Sequence, residues 1–331
     1  MHPIDSSHIP TRHFSAETPK WLRRFTKLVA FSTLFLIFAG AMVKSHEAGL
    51  SVPDWPTTYG QNMFTFPVSK WVGNIFYEHS HRLIASTVGF LCIIQALWLQ
   101  RRESKRFVRI LGWLSLGTVI LQGLLGGLTV LLLLPPAISI AHAGLAEIFF
   151  CINVAIAFFT SQSFGQLQSV EKGNAPVGLT TSFAGVVYAQ ILAGALMRHL
   201  GAGLAIPDWP LSFGRLIPGF ATKEIAANFV HRTGGIVVFA FVVLLAVRML
   251  RYASNHPLRV MINLLLTVVA AQILLGGYVI WSGKEPLITS LHVMMGAATL
   301  ALSVILMLAT RTLAWKRTSA ESRAELIEVT A

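Results

Sequence analysis

The sequence predicts an all-α, polytopic membrane protein: eight transmembrane helices arranged as two tandem, pseudo-symmetric four-helix bundles. Three observations carry that prediction. The 331-residue chain is 54% hydrophobic and 12% charged, with a mean hydropathy of +0.65, whereas a soluble chain carries about twice that charged fraction. Apolar runs of roughly 20 residues recur along it, the length needed to cross a ~30 Å hydrocarbon core. The runs also repeat. QGLLGGLTV at 122–130 matches QILLGGYVI at 272–280, and His142 matches His292, both 150 residues apart. AGLSVPDWP at 48–56 matches AGLAIPDWP at 202–210, and Ala39-Gly40-Ala41 matches Ala193-Gly194-Ala195, both at an offset of 154.

In chain order, spans are expected at 25–44, 80–100, 108–134, 138–161, 178–199, 230–250, 259–281 and 288–310. They divide the chain into a polar tail (1–27), a first bundle (28–161), a linker (162–177), a second bundle (178–310) and a closing tail (311–331). Four spans per unit is an even number, so the units are parallel repeats. The tail holds Arg12, Lys20, Arg23, Arg24 and Lys27 and no short apolar region ahead of a small-residue cleavage site, so it reads as cytoplasmic, not as a signal peptide. Basic residues fall on alternate connections: Arg101, Arg102, Lys105, Arg106 and Arg109, then Lys172, then Arg248, Arg251 and Arg259, then Arg311, Lys316 and Arg317. By the positive-inside rule both termini are cytoplasmic and the long 45–77 and 200–227 loops face outward. The lipid bilayer thus accounts for most of the net charge of +12 without any nucleic acid. Cys92 and Cys151 lie inside apolar runs, as buried small hydrophobes.

The chemistry concentrates where loops meet helices. Glu78-His79-Ser80-His81-Arg82 opens the second span, and Asn228-Phe229-Val230-His231-Arg232 opens the sixth. Ionisable groups entering a membrane helix are costly and functional by default. Each unit has a histidine near the outer end of its second helix (His81, His231) and of its fourth (His142, His292), 61 residues apart in both. Facing helices of a bundle are where cofactor ligands project inward, and two imidazoles at one depth suit a six-coordinate haem iron. The bland alternative is a histidine hydrogen-bonded within the bundle, which four matched offsets disfavour. Zinc or copper would need further ligands, and no Cys, Asp or Glu recurs at that depth in both units. Gly123, Gly126, Gly127, Gly276 and Gly277 let backbones approach each other or a flat ring.

Arg82 and Arg232 are expected to pair with haem propionates, the alternative being to snorkel to lipid headgroups. His79, matched by Phe229, is expected at the membrane interface, and His2, His8, His13, His46, His199 and His256 ligate nothing. The PDWP loops read as lids over each pocket or as plain turns. Glu78 faces Asn228 in the repeat, which assigns chemistry to the first unit and a fixed electron-transfer haem to the second. A carboxylate near a haem edge can accept a proton or stabilise a cation, and Asn can only hydrogen-bond. The alternative for Glu78 is an ion pair with Arg82 at an exposed helix end.

At these residues the chain resembles the haem A synthase family. GLSVPDWP, Glu78-x-x-His81-Arg82, AHAGLAE around His142, VHRTGG around His231 and LHVMMGA around His292 carry the likeness over all eight spans. The resemblance implies oxidation of the C8 methyl of haem O to a formyl group by successive hydroxylations, giving haem A for terminal oxidases in a bacterial inner membrane. It implies substrate haem O on His81 and His142, a bound haem b on His231 and His292, and a chemical role for Glu78. Candidate partners are haem O synthase and terminal-oxidase assembly factors, and a homo-oligomer stays open. Some members carry a cysteine pair in the first outer loop; here those positions are Ser51 and Thr58, with Ala205 and Ser212 in the repeat. A thiol-based electron route is therefore closed to this chain. The competing readings are a di-haem b-type electron carrier with no chemistry on the haem, and a transporter, which would need a polar midplane site. No Asp-rich motif for magnesium diphosphate is present, which sets aside a prenyltransferase.

Overall fold

In a computed structural model, residues 18–169 and 175–330 are described, by the backbone alone for 168–169 and 315–330. The tail 1–17, with His2, His8, His13 and Arg12, lies outside the described residues, as do 170–174 with Lys172, and 331. Nine helices are formed in that range: α1 (Lys20–Ser45), α2 (Asn74–Arg102), α3 (Arg106–Leu131), α4 (Pro136–Thr160), α5 (Gln162–Ser169), α6 (Val177–His199), α7 (Lys223–Met249), α8 (Pro257–Trp281) and α9 (Pro286–Thr330). All but α5 are long and apolar enough to cross a membrane. Among the described residues no β-strand forms.

The helix starts follow local chemistry. Proline stands at the first turn of α4 and α8, where its missing N–H is not needed. The Thr222 side chain caps α7 by accepting from Ile225 N (3.3 Å). α2 and α7 begin at Asn74 and Lys223, six or seven residues ahead of the spans that hydropathy predicts, so Glu78, His79 and Asn228 lie inside helices. Segment 162–177, expected as a linker, instead opens with α5, because Phe164 and Leu167 share one face and bury it beside Phe158 and Leu313. The expected tail from residue 311 onward continues α9.

The helices pack in two groups. α1 meets α2, α2 meets α3, α3 meets α4, and α4 returns to α1; α6 to α9 close in the same way. Between the groups, α1 and α4 pack on α9, and α4 also packs on α6. Paired hydrogen bonds mark both groups: Thr26 Oγ1 lies 2.9 Å from Thr160 Oγ1, and Thr180 Oγ1 lies 2.8 Å from Thr310 Oγ1. The interior of the first group carries a further polar knot. Gln95 Nε2 (2.8 Å) and Ser115 Oγ (3.0 Å) both donate to Asn153 Oδ1. The matching positions of the second group, at the offset of 150, are Leu245, Leu265 and Ser303. Such interhelical bonds in lipid contribute roughly 0.6–1.7 kcal/mol each and fix helix register.

Candidate functional site

Each of the four repeated histidines lies against a glycine of a neighbouring helix. A Cβ at Gly40 would stand 3.0 Å from His81 Cε1, at Gly126 3.2 Å from His142, at Gly194 2.8 Å from His231 and at Gly276 2.9 Å from His292. Carbon contacts are normally ~3.5–4.0 Å, so only glycine admits these rings so closely. The pairs join α1 to α2, α3 to α4, α6 to α7 and α8 to α9. Three of the four histidine turns are also held from behind by glutamine. Gln122 Nε2 donates to the His142 carbonyl (2.9 Å), Gln190 Nε2 to that of His231 (2.7 Å) and Gln272 Nε2 to that of His292 (2.9 Å). At the offset of 154 the position matching Gln190 is Leu36, so the turn of His81 lacks this clamp.

The rings of His231 and His292 have centroids 6.4 Å apart, at 83° to one another. Two imidazoles bound to opposite sides of one metal atom, with bonds of about 2 Å, place their centres roughly 6–6.5 Å apart. In the first group the charge of His142 reaches His81. The Nδ1 atoms of His81, His142 and His292 are buried without a hydrogen-bond partner. Among the described residues no group of three or more His, Cys, Asp or Glu could hold a bare metal ion. The donor sets are pairs of imidazoles, suited to a metal that brings its own equatorial ligands.

The loops that precede α2 and α7 are built alike over both groups. Asp54 accepts from Tyr59 N (2.7 Å) and Gly60 N (2.8 Å), and Asp208 from Phe213 N (2.7 Å) and Gly214 N (2.8 Å). For Asp54, partial burial raises its pKa but is outweighed by the donors Thr57, Gly60 and Tyr59, which hold it below the usual range. The backbone N–H groups of Gly214 and Phe213 hold Asp208 low in the same way. The tryptophans reach across to the third helix of each group: a Cβ at Gly127 would be 2.5 Å from Trp55 Cδ2, and at Gly277 2.8 Å from Trp209 Cδ2. These turns therefore cover the same end of each helix group.

Arg82 and Arg232 hold those covers. Arg82 donates to the carbonyls of Asp54 (2.7 Å), Thr57 (3.1 Å) and Val52 (2.8 Å), and Arg232 to those of Asp208 (2.7 Å), Leu211 (3.0 Å) and Ile206 (2.7 Å). Their planar guanidinium forks match these converging carbonyls.

The family model for cytochrome oxidase assembly proteins, COX15-CtaA, matches residues 23–304, and so takes in every one of these histidines. The chain belongs to that family. Relatives named heme A synthase include those of Halalkalibacterium halodurans (28% identical, covering 82% of this chain and 91% of the relative), Symbiobacterium thermophilum (29%; 73% and 80%) and Sinorhizobium fredii (28%; 76% and 80%).

In this member of the COX15-CtaA family the asymmetry between the groups is plain at Glu78. The carboxyl is buried at 3% exposure; Oε2 accepts from Val52 N (2.8 Å) and Oε1 from Arg82 (2.6 Å). The ion pair read as an alternative does form, but buried, one turn before His81, not on an exposed end. Asn228, at 1% exposure, turns Nδ2 to the carbonyls of Ala202 (2.7 Å) and Gly203 (3.2 Å) and leaves Oδ1 unpartnered. His79, expected at the interface, is fully buried beneath the first loop, beside Thr58 Oγ1 (3.2 Å) and the rings of Phe66 and Trp71. The loop that covers it is apolar and aromatic, which a lone histidine in sequence does not reveal. Sequence reasoning also passed over Glu147. It is buried on α4 with Oε2 unpartnered, and Ala297 stands at the matching place. An acid within an apolar run was the available signal.

Proposed function

We propose that this protein is a haem A synthase, oxidising the C8 methyl of haem O to a formyl group. The paired imidazoles seated on glycine, with the 6.4 Å spacing of His231 and His292, are the observation that carries this reading. In it, α1–α4 hold the substrate haem O between His81 and His142, and α6–α9 hold a resident haem b between His231 and His292. When bound, haem b supplies a one-electron acceptor beside the substrate pocket. Both termini face the cytoplasm of a bacterial cell, and both covering loops face outward.

With water as the source of the formyl oxygen, oxidising a methyl group to a formyl group releases protons and electrons (CH3 + H2O → CHO + 4 H+ + 4 e−) inside a covered pocket, and the residues of the chain must handle the protons. Glu78 is the titratable group suited to this, one helical turn from His81. Its two oxygens are fixed by Val52 N and Arg82, so it offers an acceptor that needs no reorientation as charge develops at the reacting carbon. Asn228 cannot take a proton, which leaves the second pocket to electron transfer. Arg82 and Arg232 tie down the loops that cover each pocket, through the carbonyls of Asp54, Thr57 and Val52 and of Asp208, Leu211 and Ile206.

The test is to replace Glu78 with Gln or Ala, purify the protein and analyse extracted haems by chromatography. Loss of haem A with haem O and haem b retained is expected. Wild-type levels of haem A would overturn the role of Glu78 and leave a di-haem electron carrier as the better description.

A further inference from the structure

Three cations gather at the outer end of the boundary between the two helix groups. Lys44 lies on α1, Arg198 on α6, and Lys284 in the turn between α8 and α9. Lys44 and Arg198 occupy matching positions, 154 residues apart. Each stands four residues beyond a histidine seat (44 − 40 and 198 − 194), so it lies on the same helix face as the glycine, one turn nearer the outer surface.

The surroundings of this cluster are short of negative charge. Arg198 Nη2 donates to Ser45 Oγ (3.1 Å), which lies 3.0 Å from Ser290 Oγ, a chain that crosses from α6 to α1 to α9. Lys44 feels the charges of Arg198, Lys284 and Glu47, and the charge of Arg198 reaches His292. Among the described residues, none of the three cations forms an ion pair with a carboxylate. Lys284 is set in place by its backbone, at a φ of 64°, and by its stem, which lies over Gly203. Lys44 and Lys284 are exposed and Glu47 and Glu285 stand near them, but the half-buried Arg198 has only a hydroxyl as a side-chain partner, and a guanidinium so placed is complemented by an anion. Arg82 and Arg232, in contrast, already direct their N–H groups at loop carbonyls.

We propose that Arg198 with Lys284 binds the propionate carboxylates of the haem held by His231 and His292, and that Lys44 does the same, alone, for the haem held by His81 and His142. This rests on the haem reading above and adds what recognises the acid edge of each macrocycle. The difference in cation number has a built cause. At the offset of 150 the position matching Lys284 is Leu134, which packs over Gly49 as Lys284 packs over Gly203. The first rim therefore grips with one cation and suits a molecule that must enter and leave. The second grips with two and suits one that stays.

The full-length protein, produced in haem-deficient cells, is titrated with protohaem and with protohaem dimethyl ester, which lacks the carboxylates. Binding is read from the spectrum of the bis-imidazole form in wild type, R198Q, R198K and R198Q/K284Q. Wild type is expected to favour the acid over the ester by about tenfold or more, as charge-assisted bonds to a carboxylate require. R198Q lowers acid affinity by about tenfold with little change for the ester, R198K restores part of the preference, and the double variant abolishes it. An unchanged acid-to-ester ratio in R198Q overturns the proposal and leaves the cations to a lipid phosphate. Equal loss for acid and ester in R198Q also overturns it, by showing a merely structural role. If wild type binds acid and ester equally, the rim assignment falls while the haem reading stands. If it binds neither, the haem reading itself fails.

Discussion

Replacing Gly276 with Ala separates two effects that usually move together. The new Cβ would stand 2.9 Å from His292 Cε1, against an ordinary carbon contact of ~3.5–4.0 Å, so the ring must retreat by roughly 0.6–1 Å. Without haem that retreat is inexpensive, because an imidazole can turn about its own side-chain torsions. The helix meanwhile gains about 0.8–1.0 kcal/mol from losing a mid-helix glycine. With haem bound, the ring is fixed by its bond to iron, and displacement of a ligand by a disturbed support typically costs 10–100-fold in affinity. Gly276→Ala is therefore expected to hold or raise the melting temperature of the haem-free protein. It should weaken haem b binding by roughly 10–100-fold, read by titration at the Soret band. A haem affinity equal to that of wild type would refute the seating argument, and with it the claim that ring position in this group is set by the glycine.

Three further outcomes follow from the same contacts. Arg232→Lys retains the charge but cannot reach the carbonyls of Asp208, Leu211 and Ile206 together; losing one or two such bonds costs about 1.5–3 kcal/mol each, and proteolysis within 206–215 should accelerate while the helices stay protected. Because hydrogen bonds depress the pKa values of Asp54 and Asp208 in the folded loops, their contribution to loop stability is present above the unfolded carboxylate pKa. It is lost as pH falls through the lower folded values, so Trp55 and Trp209 fluorescence should report loop loosening only below about pH 4. Glu147→Met removes a buried carboxyl with an unpartnered oxygen, and should raise thermal stability by about 1–3 kcal/mol in the haem-free protein.

Much of this was legible in the chain because periodic hydrophobicity and repetition are both local signals. The eight spans, the offsets of 150 and 154 and the four histidines can be read directly; Gly126 and Gly276 read as room for a neighbouring backbone or a flat macrocycle, whereas the structure puts histidine rings against them. What remained hidden depends on partners distant in sequence. The direction of Arg82 is set by carbonyls of residues 52–57, and a backbone oxygen leaves no trace in residue identity. The early starts of α2 and α7 were missed for a different reason: Glu78, His79 and Asn228 lower the hydropathy of turns that are nevertheless helical and shielded by the outer loops. α5 is a smaller lesson, since Phe164 and Leu167 at helical spacing outweigh the glycine and polar residues around them.

The residues that hold each outer loop directly follow His81 and His231 in the chain, as Arg82 and Arg232. Loop anchor and repeated histidine thus share a single helical turn in each group. If those histidines hold haem as proposed, lifting a loop pulls on the turn that carries the ring, so that loop and ring move together.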